Sequence, residues 1–248
     1  KEHTLLCLNA GKPVLCEKPM AVNAQEVAEM IQVAREKNLF LMEAMWTRFL
    51  PVWVKVRELL ADGVIGEPRM LAADFGFRAP IDPEHRLFNP SLAGGALLDV
   101  GVYTVSLAFM VFGRAPDDIA TLAHLGETGV DEQGAYIFRY ENGELAVLTS
   151  AVTTNTPQEA RIMGTEGSIY VPNFWQATSL RLEIPGMEPE NVELPSSDNG
   201  YNFEALEVVR CLRAGKQESD TMPLAESLEI AEIMDRIRAN WGLKYPME

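Results

Sequence analysis

The chain has 248 residues, long for one ordinary domain and short for two full ones, and at 47% hydrophobic and 23% charged it can bury a sizeable core. Its 21 basic and 36 acidic residues leave a net charge of −15, which argues against nucleic acid or an anionic membrane as partner, because both need clustered Lys and Arg. Cys7, Cys16 and Cys211 show no close pairing; Cys7 and Cys16 sit in apolar runs and read as small core residues in a reducing, cytoplasmic setting. No apolar run is expected to reach bilayer-spanning length, and no signal peptide is visible.

Residues 3–10 read as a helix stopped by Gly11, and 13–17 as a short buried strand, apolar in succession rather than alternating. Asn23 to Glu26 resembles a capping box, after which Val27, Met30, Ile31 and Ala34 recur at helical spacing. Residues 39–45 are a second buried strand. The first 45 residues therefore repeat helix and strand in the manner of a parallel α/β sheet.

Pro51 opens a helix to about Leu60, and 69–77 has strand character. The proline-rich polar stretch 78–93 is a long loop of the kind that often carries function. Residues 95–113 form a mostly apolar helix ending at Gly113. Strand-like runs follow at 119–125, 134–141, 144–153, 159–164 and 167–171, with a hairpin turn at Asn142-Gly143, and helices at 201–214 and 223–241 close the chain. The expected fold is α/β: residues 1–45 are the C-terminal part of a Rossmann-type parallel sheet. Residues 46–248 are an α+β domain with a large, mainly antiparallel sheet and helices on one face. The final helix is a candidate to pack back on the first part.

Three groups of residues could carry chemistry. Lys18, in Glu17-Lys18-Pro19, ends a parallel strand, and ligands of open α/β sheets bind outside such strand ends. A lysine there can donate to a carbonyl or hydroxyl oxygen, although a surface lysine before a turn proline reads the same way. Asp99 and Tyr103 stand one helical turn apart, behind Gly94-Gly95, where backbone can approach a ligand. Tyrosine works as acid or base only with a cation to stabilise phenolate, which Lys18 across the cleft would provide; a cap aspartate and a half-buried tyrosine are the plainer alternative. Trp46 and Arg48 follow the second strand and fall at the same sheet edge, as a flat wall and an anion-binding group, or as core and surface residues. His3, His85 and His124 are scattered, and no metal site is expected.

Together the stretch from Ala10 to Pro51 and "GGALLDVGVYTVSLA" resemble the Gfo/Idh/MocA family of NAD(P)-dependent oxidoreductases, nearest its dimeric dihydrodiol dehydrogenase and NADP-dependent xylose dehydrogenase branch. The resemblance runs over essentially the whole chain and is densest in 9–110. It implies Lys18 as the polarising group, Tyr103 as general acid/base where many members carry histidine, and Asp99 as the orienting group. It implies Glu17, Lys18, Pro19 and Arg48 as cofactor contacts, and Trp46, Phe77 and Arg86 as the substrate wall. The implied cofactor is NADP or NAD, the substrate a sugar, cyclic polyol or dihydrodiol, and the partner a second copy of the chain packed through the C-terminal sheet.

Family members open with a strand and a Gly-x-Gly-x-x-Gly turn that binds pyrophosphate, and this sequence contains no such turn. The expectation is a partial sequence lacking about 80 residues, at about 30 per βαβ unit, and inactive alone. The rival expectations are a non-catalytic fragment or dimerising scaffold, and a relative with glycosidase, bilin-reducing or imine-reducing chemistry.

Overall fold

The computed structural model describes residues 1–196 and 199–248. It opens with helix α1 (Glu2–Asn9), strand β1 (Val14–Glu17), helix α2 (Ala24–Glu36) and strand β2 (Leu41–Ala44). β1 and β2 pair in parallel, Val14 opposite Leu41 and Glu17 opposite Ala44. Asn23 caps α2 by accepting the Glu26 N–H at 2.9 Å, and the Val27, Met30, Ile31 and Ala34 stripe is buried. Every residue of β2 is buried, as its apolar run predicts. β1 departs from that expectation: Leu15 and Glu17 are exposed, because among the described residues β2 is its only partner and the other edge is open. Cys7, expected in the core, is also exposed on α1.

A 3-10 turn, Trp46–Phe49, leads into helix α3 (Pro51–Ala61), whose first position is proline. Strand β3 (Pro68–Gly76), the long loop and helix α4 (Val102–Phe112) follow. Then come β4 (Asp118–Leu125), β5 (Asp131–Arg139), β6 (Leu145–Ala151), β7 (Ala160–Gly164), β8 (Ser168–Val171), β9 (Ser179–Glu183) and β10 (Glu190–Glu193). Helices α5 (Tyr201–Arg213) and α6 (Leu224–Trp241) complete the chain. The large sheet runs β10-β9-β8-β7-β3-β6-β5-β4. All neighbours are antiparallel except β3 and β6, a parallel pair that requires a crossover, supplied here by the segment carrying α4. β9 and β10 escaped the sequence reading because they are short and rich in polar and charged residues (SLRLE and ENVE).

The expected helix at 95–113 is more elaborate. Leu97–Gly101 is a turn of π-helix, and regular α-helix begins only at Val102. Gly101 lets this turn lie flat on the sheet: a Cβ there would stand 3.0 Å from the Tyr136 hydroxyl. The stretch Pro90–Phe112, 23 residues with mean hydropathy 1.8, is long and apolar enough to cross a membrane, against the expectation that no run is. With 78% of its apolar window buried it serves here as a core helix, wedged between the sheet and α6.

The helices cover one sheet face, with Tyr136, Phe138, Ala146 and Leu148 pointing into the larger core. A second core, containing Leu8, Met30 and Leu41, lies around α2 and takes in Leu224 and Ala231 of α6. α6 therefore packs on both parts. Its Asp235 accepts the Ala24 N–H, and Arg238 donates to the Val22 carbonyl.

Candidate active site

Lys18 leaves the tip of β1 through a cis peptide bond to Pro19. Its ammonium donates to the Asp99 carbonyl at 2.6 Å and stands 4.6 Å from the centroid of the Tyr103 ring. The strand tip and the π-turn thus bring together residues 81 positions apart. Burial draws the Lys18 pKa down, while the Asp99 charge opposes that shift. The Asp99 carboxylate accepts from Arg86 at 2.7 Å.

Tyr103 is 7% exposed, and its hydroxyl oxygen accepts from the Trp46 indole N–H at 3.1 Å. Burial pushes its phenol well above the usual tyrosine range, with the Trp46 hydrogen bond opposing. The sequence suggested an ammonium that stabilises phenolate. In the structure Lys18 donates to the Asp99 carbonyl and lies over the ring face, and burial favours the protonated phenol.

A cavity of about 910 Å³ opens beside Lys18, bordered by Glu17, Pro19, Arg86, Gly94 and Asp99. Tyr103 does not line it; Lys18 belongs both to the cavity wall and to the aromatic group behind. In that group Trp46 packs on Tyr201 at 4.7 Å and edge-on to Trp175 at 6.2 Å, while Phe75 stacks on Trp175 at 5.2 Å and lies 5.3 Å from Tyr103. Sequence reasoning missed Phe75, Trp175 and Tyr201. It named Phe77, which is half-buried against the larger core, whereas Phe75 makes the contact with Tyr103. The adjacent aromatics of "NFWQ" were the available signal for Trp175.

Arg48 is not on the rim. It is 4% exposed, donates to the hydroxyl and carbonyl oxygens of Ser106, and forms an ion pair with Glu226. Such a guanidinium is committed to protein, since breaking a buried pair costs about 3–5 kcal/mol. Arg86 is the opposite case: its side chain is 63% exposed in the pair with Asp99, and exposed pairs contribute only ~0.2–1 kcal/mol, so it can exchange partners. Gly94 and Gly95 border the cavity, yet their close approach is to protein. A Cβ on Gly94 would sit 2.7 Å from the Arg86 and Leu87 carbonyl oxygens, and one on Gly95, at φ +120°, 2.1 Å from Asp131 Oδ1.

A parallel α/β unit with a lysine at its strand tip is joined to an open sheet whose crossover helix supplies a tyrosine, a two-part architecture that places ligands outside the strand end. Residues 1–45 match the oxidoreductase family with an NAD-binding Rossmann fold, and residues 53–170 match the GFO/IDH/MocA C-terminal domain. The trans-1,2-dihydrobenzene-1,2-diol dehydrogenase of Xenopus laevis is 41% identical, over 99% of this chain and 76% of its own length. The Homo sapiens enzyme of the same name is 38% identical over 100% of this chain and 76% of its own. The chain belongs to the Gfo/Idh/MocA family of oxidoreductases. Among solved structures, an aldose-aldose oxidoreductase from Caulobacter crescentus superposes with a TM-score of 0.88 at 24% identity, covering 98% of this chain and 74% of that one. A 3-ketoreductase from Actinomadura kijaniata, solved with NADP and TDP-benzene, gives 0.82 at 25% identity, covering 96% and 74%.

Proposed function

We propose that this protein interconverts an alcohol and a carbonyl by hydride exchange with NADP or NAD, on a sugar, cyclic polyol or dihydrodiol, with Lys18 and Tyr103 as the reacting pair. The observation that carries this reading is the meeting of Lys18 with both the cavity and the Tyr103 ring at 4.6 Å. The names of the relatives support the substrate class.

The cavity suits the nicotinamide end of a dinucleotide: it lies outside the β1 strand tip, and the Lys18 ammonium is in its wall. Glu17, Lys18 and Pro19 would border the ring, and Arg86 is free to turn to a substrate or cofactor oxygen. The pyrophosphate-binding glycine turn is not in this sequence, so we expect this chain by itself to bind nucleotide weakly and turn over little. The chemistry that a bound nicotinamide would supply is hydride exchange with the substrate carbon. In reduction, the Tyr103 hydroxyl donates its proton to the carbonyl oxygen, and Lys18 stabilises the negative charge that develops there. Oxidation reverses both roles. Asp99 fixes Lys18 through its carbonyl, and the aromatic group of Trp46, Phe75, Trp175 and Tyr201 packs behind Lys18 and around Tyr103. With Cys7, Cys16 and Cys211 all free, the cytoplasm is the proposed setting.

A second copy of the chain is the proposed partner, on the sheet face that carries no helices. Leu122 is 81% exposed there, with Ile137, Val147 and Met70 beside it.

The test of the reaction is the intact enzyme carrying Tyr103→Phe. Turnover of a dihydrodiol or aldose should fall by about 10²–10⁴-fold, the usual contribution of a positioned acid/base. Near-parental turnover would remove Tyr103 from the mechanism.

A further inference from the structure

Glu43 is a carboxylate in the middle of a fully buried apolar strand, β2, and it is 1% exposed. Burying such a group is unfavourable unless it is hydrogen-bonded, so its partners show what it is for. Oε1 accepts the Met20 N–H at 3.1 Å, directly beneath the turn that carries Lys18. Oε2 has no hydrogen-bond partner among the described residues; the Ser227 hydroxyl stands near enough to pull the Glu43 pKa down without completing a hydrogen bond. A leucine in its place would leave the Met20 N–H unsatisfied, while a glutamine would satisfy it without the charge.

The same stretch of chain reaches the other reacting group twice. Trp46 donates to the Tyr103 hydroxyl, and Arg48 donates to Ser106, one turn further along α4. Arg48 is in turn held by Glu226 of α6. Residues 43–48 therefore refer the Lys18 turn and the Tyr103 helix to one rigid segment.

We infer that Glu43 is a positioning residue for this reaction: it fixes the Lys18-Pro19-Met20 turn through the Met20 N–H, and its carboxylate is one of three acidic groups around the Lys18 ammonium. The inference rests on the reading of Lys18 and Tyr103 as the reacting pair.

Electrostatics support the geometry. The groups facing Glu43 are Ser227 and Glu226 from α6, Arg48 from the 3-10 turn and the Met20 N–H; burial dominates and raises its pKa to about 7. Those facing Lys18 are Asp99, Glu17, Arg86 and Glu43, and Glu43 acts to raise the lysine against burial. Once ionised, Glu43 adds to the Asp99 and Glu17 charges, as the weakest of the three, in favour of the Lys18 ammonium. A group that merely filled space would not do this.

The experiment is an NMR titration of Lys18 in 13Cε-lysine-labelled protein, its resonance assigned by its loss in Lys18→Arg, together with kinetics of the intact enzyme. In Glu43→Gln the Lys18 midpoint should move to lower pH with the fold retained. In Glu43→Leu, kcat should fall on the order of 10- to 100-fold, as expected for a displaced catalytic group, with KM for nucleotide little changed. An unmoved Lys18 midpoint in Glu43→Gln, or parental kcat in Glu43→Leu, overturns the inference. If Glu43→Leu fails to fold, the Glu43→Gln titration decides alone. That titration needs no turnover, so it stands or falls separately from the proposed reaction.

Discussion

Three charged side chains on or near the site differ in what burial has done to them. In sequence Arg48 was a candidate cofactor contact and Arg86 a candidate for the substrate wall. Packing separates them: Arg48 is locked between Ser106 and Glu226, and Arg86 is loosely paired with Asp99 in solvent. Lys18 stood out in sequence only together with Asp99 and Tyr103, because a surface lysine before a turn proline reads the same way. Its exact orientation was not legible, since it depends on the Asp99 carbonyl, contributed from a distant part of the chain. Glu43 did leave a trace, as the one charge within the apolar run "LFLMEAM". The resulting pKa directions predict kinetics. Tyr103, raised by burial, holds its proton through neutral pH, and Lys18, lowered by burial, loses its charge sooner than an ordinary lysine. With the proposed roles, kcat/KM for carbonyl reduction should stay level through neutral pH and decline on the alkaline side as Lys18 loses its charge. A reduction rate that climbs with pH would contradict these assignments.

At the scale of elements, helices and strands with one clear period were readable, and α2, α3, β3 and the strands from β4 to β8 fall where patterning puts them. The π-turn at Leu97–Gly101 was not, because it is imposed by tertiary contacts: Gly101 against Tyr136, and Asp131 at its entrance. Asp131 is fully buried at the start of β5, and its Oδ2 accepts the Leu97 N–H at 2.7 Å, so a strand residue caps the helical segment that bears Asp99 and Tyr103. Burial raises its pKa to about 7. The folded state therefore binds a proton more tightly than the unfolded chain. The stability this gives is complete below the ordinary aspartate range and is lost as pH rises through about 7. Asp131→Asn keeps an acceptor but removes the titration. Urea unfolding at about pH 5 and about pH 8 should show the parent losing on the order of 1–3 kcal/mol more than the variant between the two. Equal losses would show that Asp131 is not titrating in the fold.

On the scale of the whole molecule, the sequence announced a parallel α/β part followed by a large mainly antiparallel sheet, and the family relationship rests on both. What no local pattern revealed was the parallel β3–β6 pair, or which sheet face the helices leave bare. That bare face carries Ile137 opposite Val147, and Val147 opposite Ala72, so apolar side chains continue across three strands. An antiparallel sheet facing water normally alternates to polar residues, and an apolar open face marks an interaction surface. The protein should be a dimer by sedimentation equilibrium, and Ile137→Lys combined with Val147→Lys should make it monomeric without loss of helix content. A monomeric parent, or a double variant that stays dimeric, would move the interface elsewhere.

The account stands most directly on Lys18 and Tyr103 acting on one oxygen. A double-mutant cycle in the intact enzyme, with Lys18→Met, Tyr103→Phe and both together, measures that coupling through kcat/KM. Residues that act as a unit are strongly non-additive, so the double variant should be within about tenfold of the weaker single variant. Fully additive losses, or single variants with near-parental kcat/KM, would contradict a shared site.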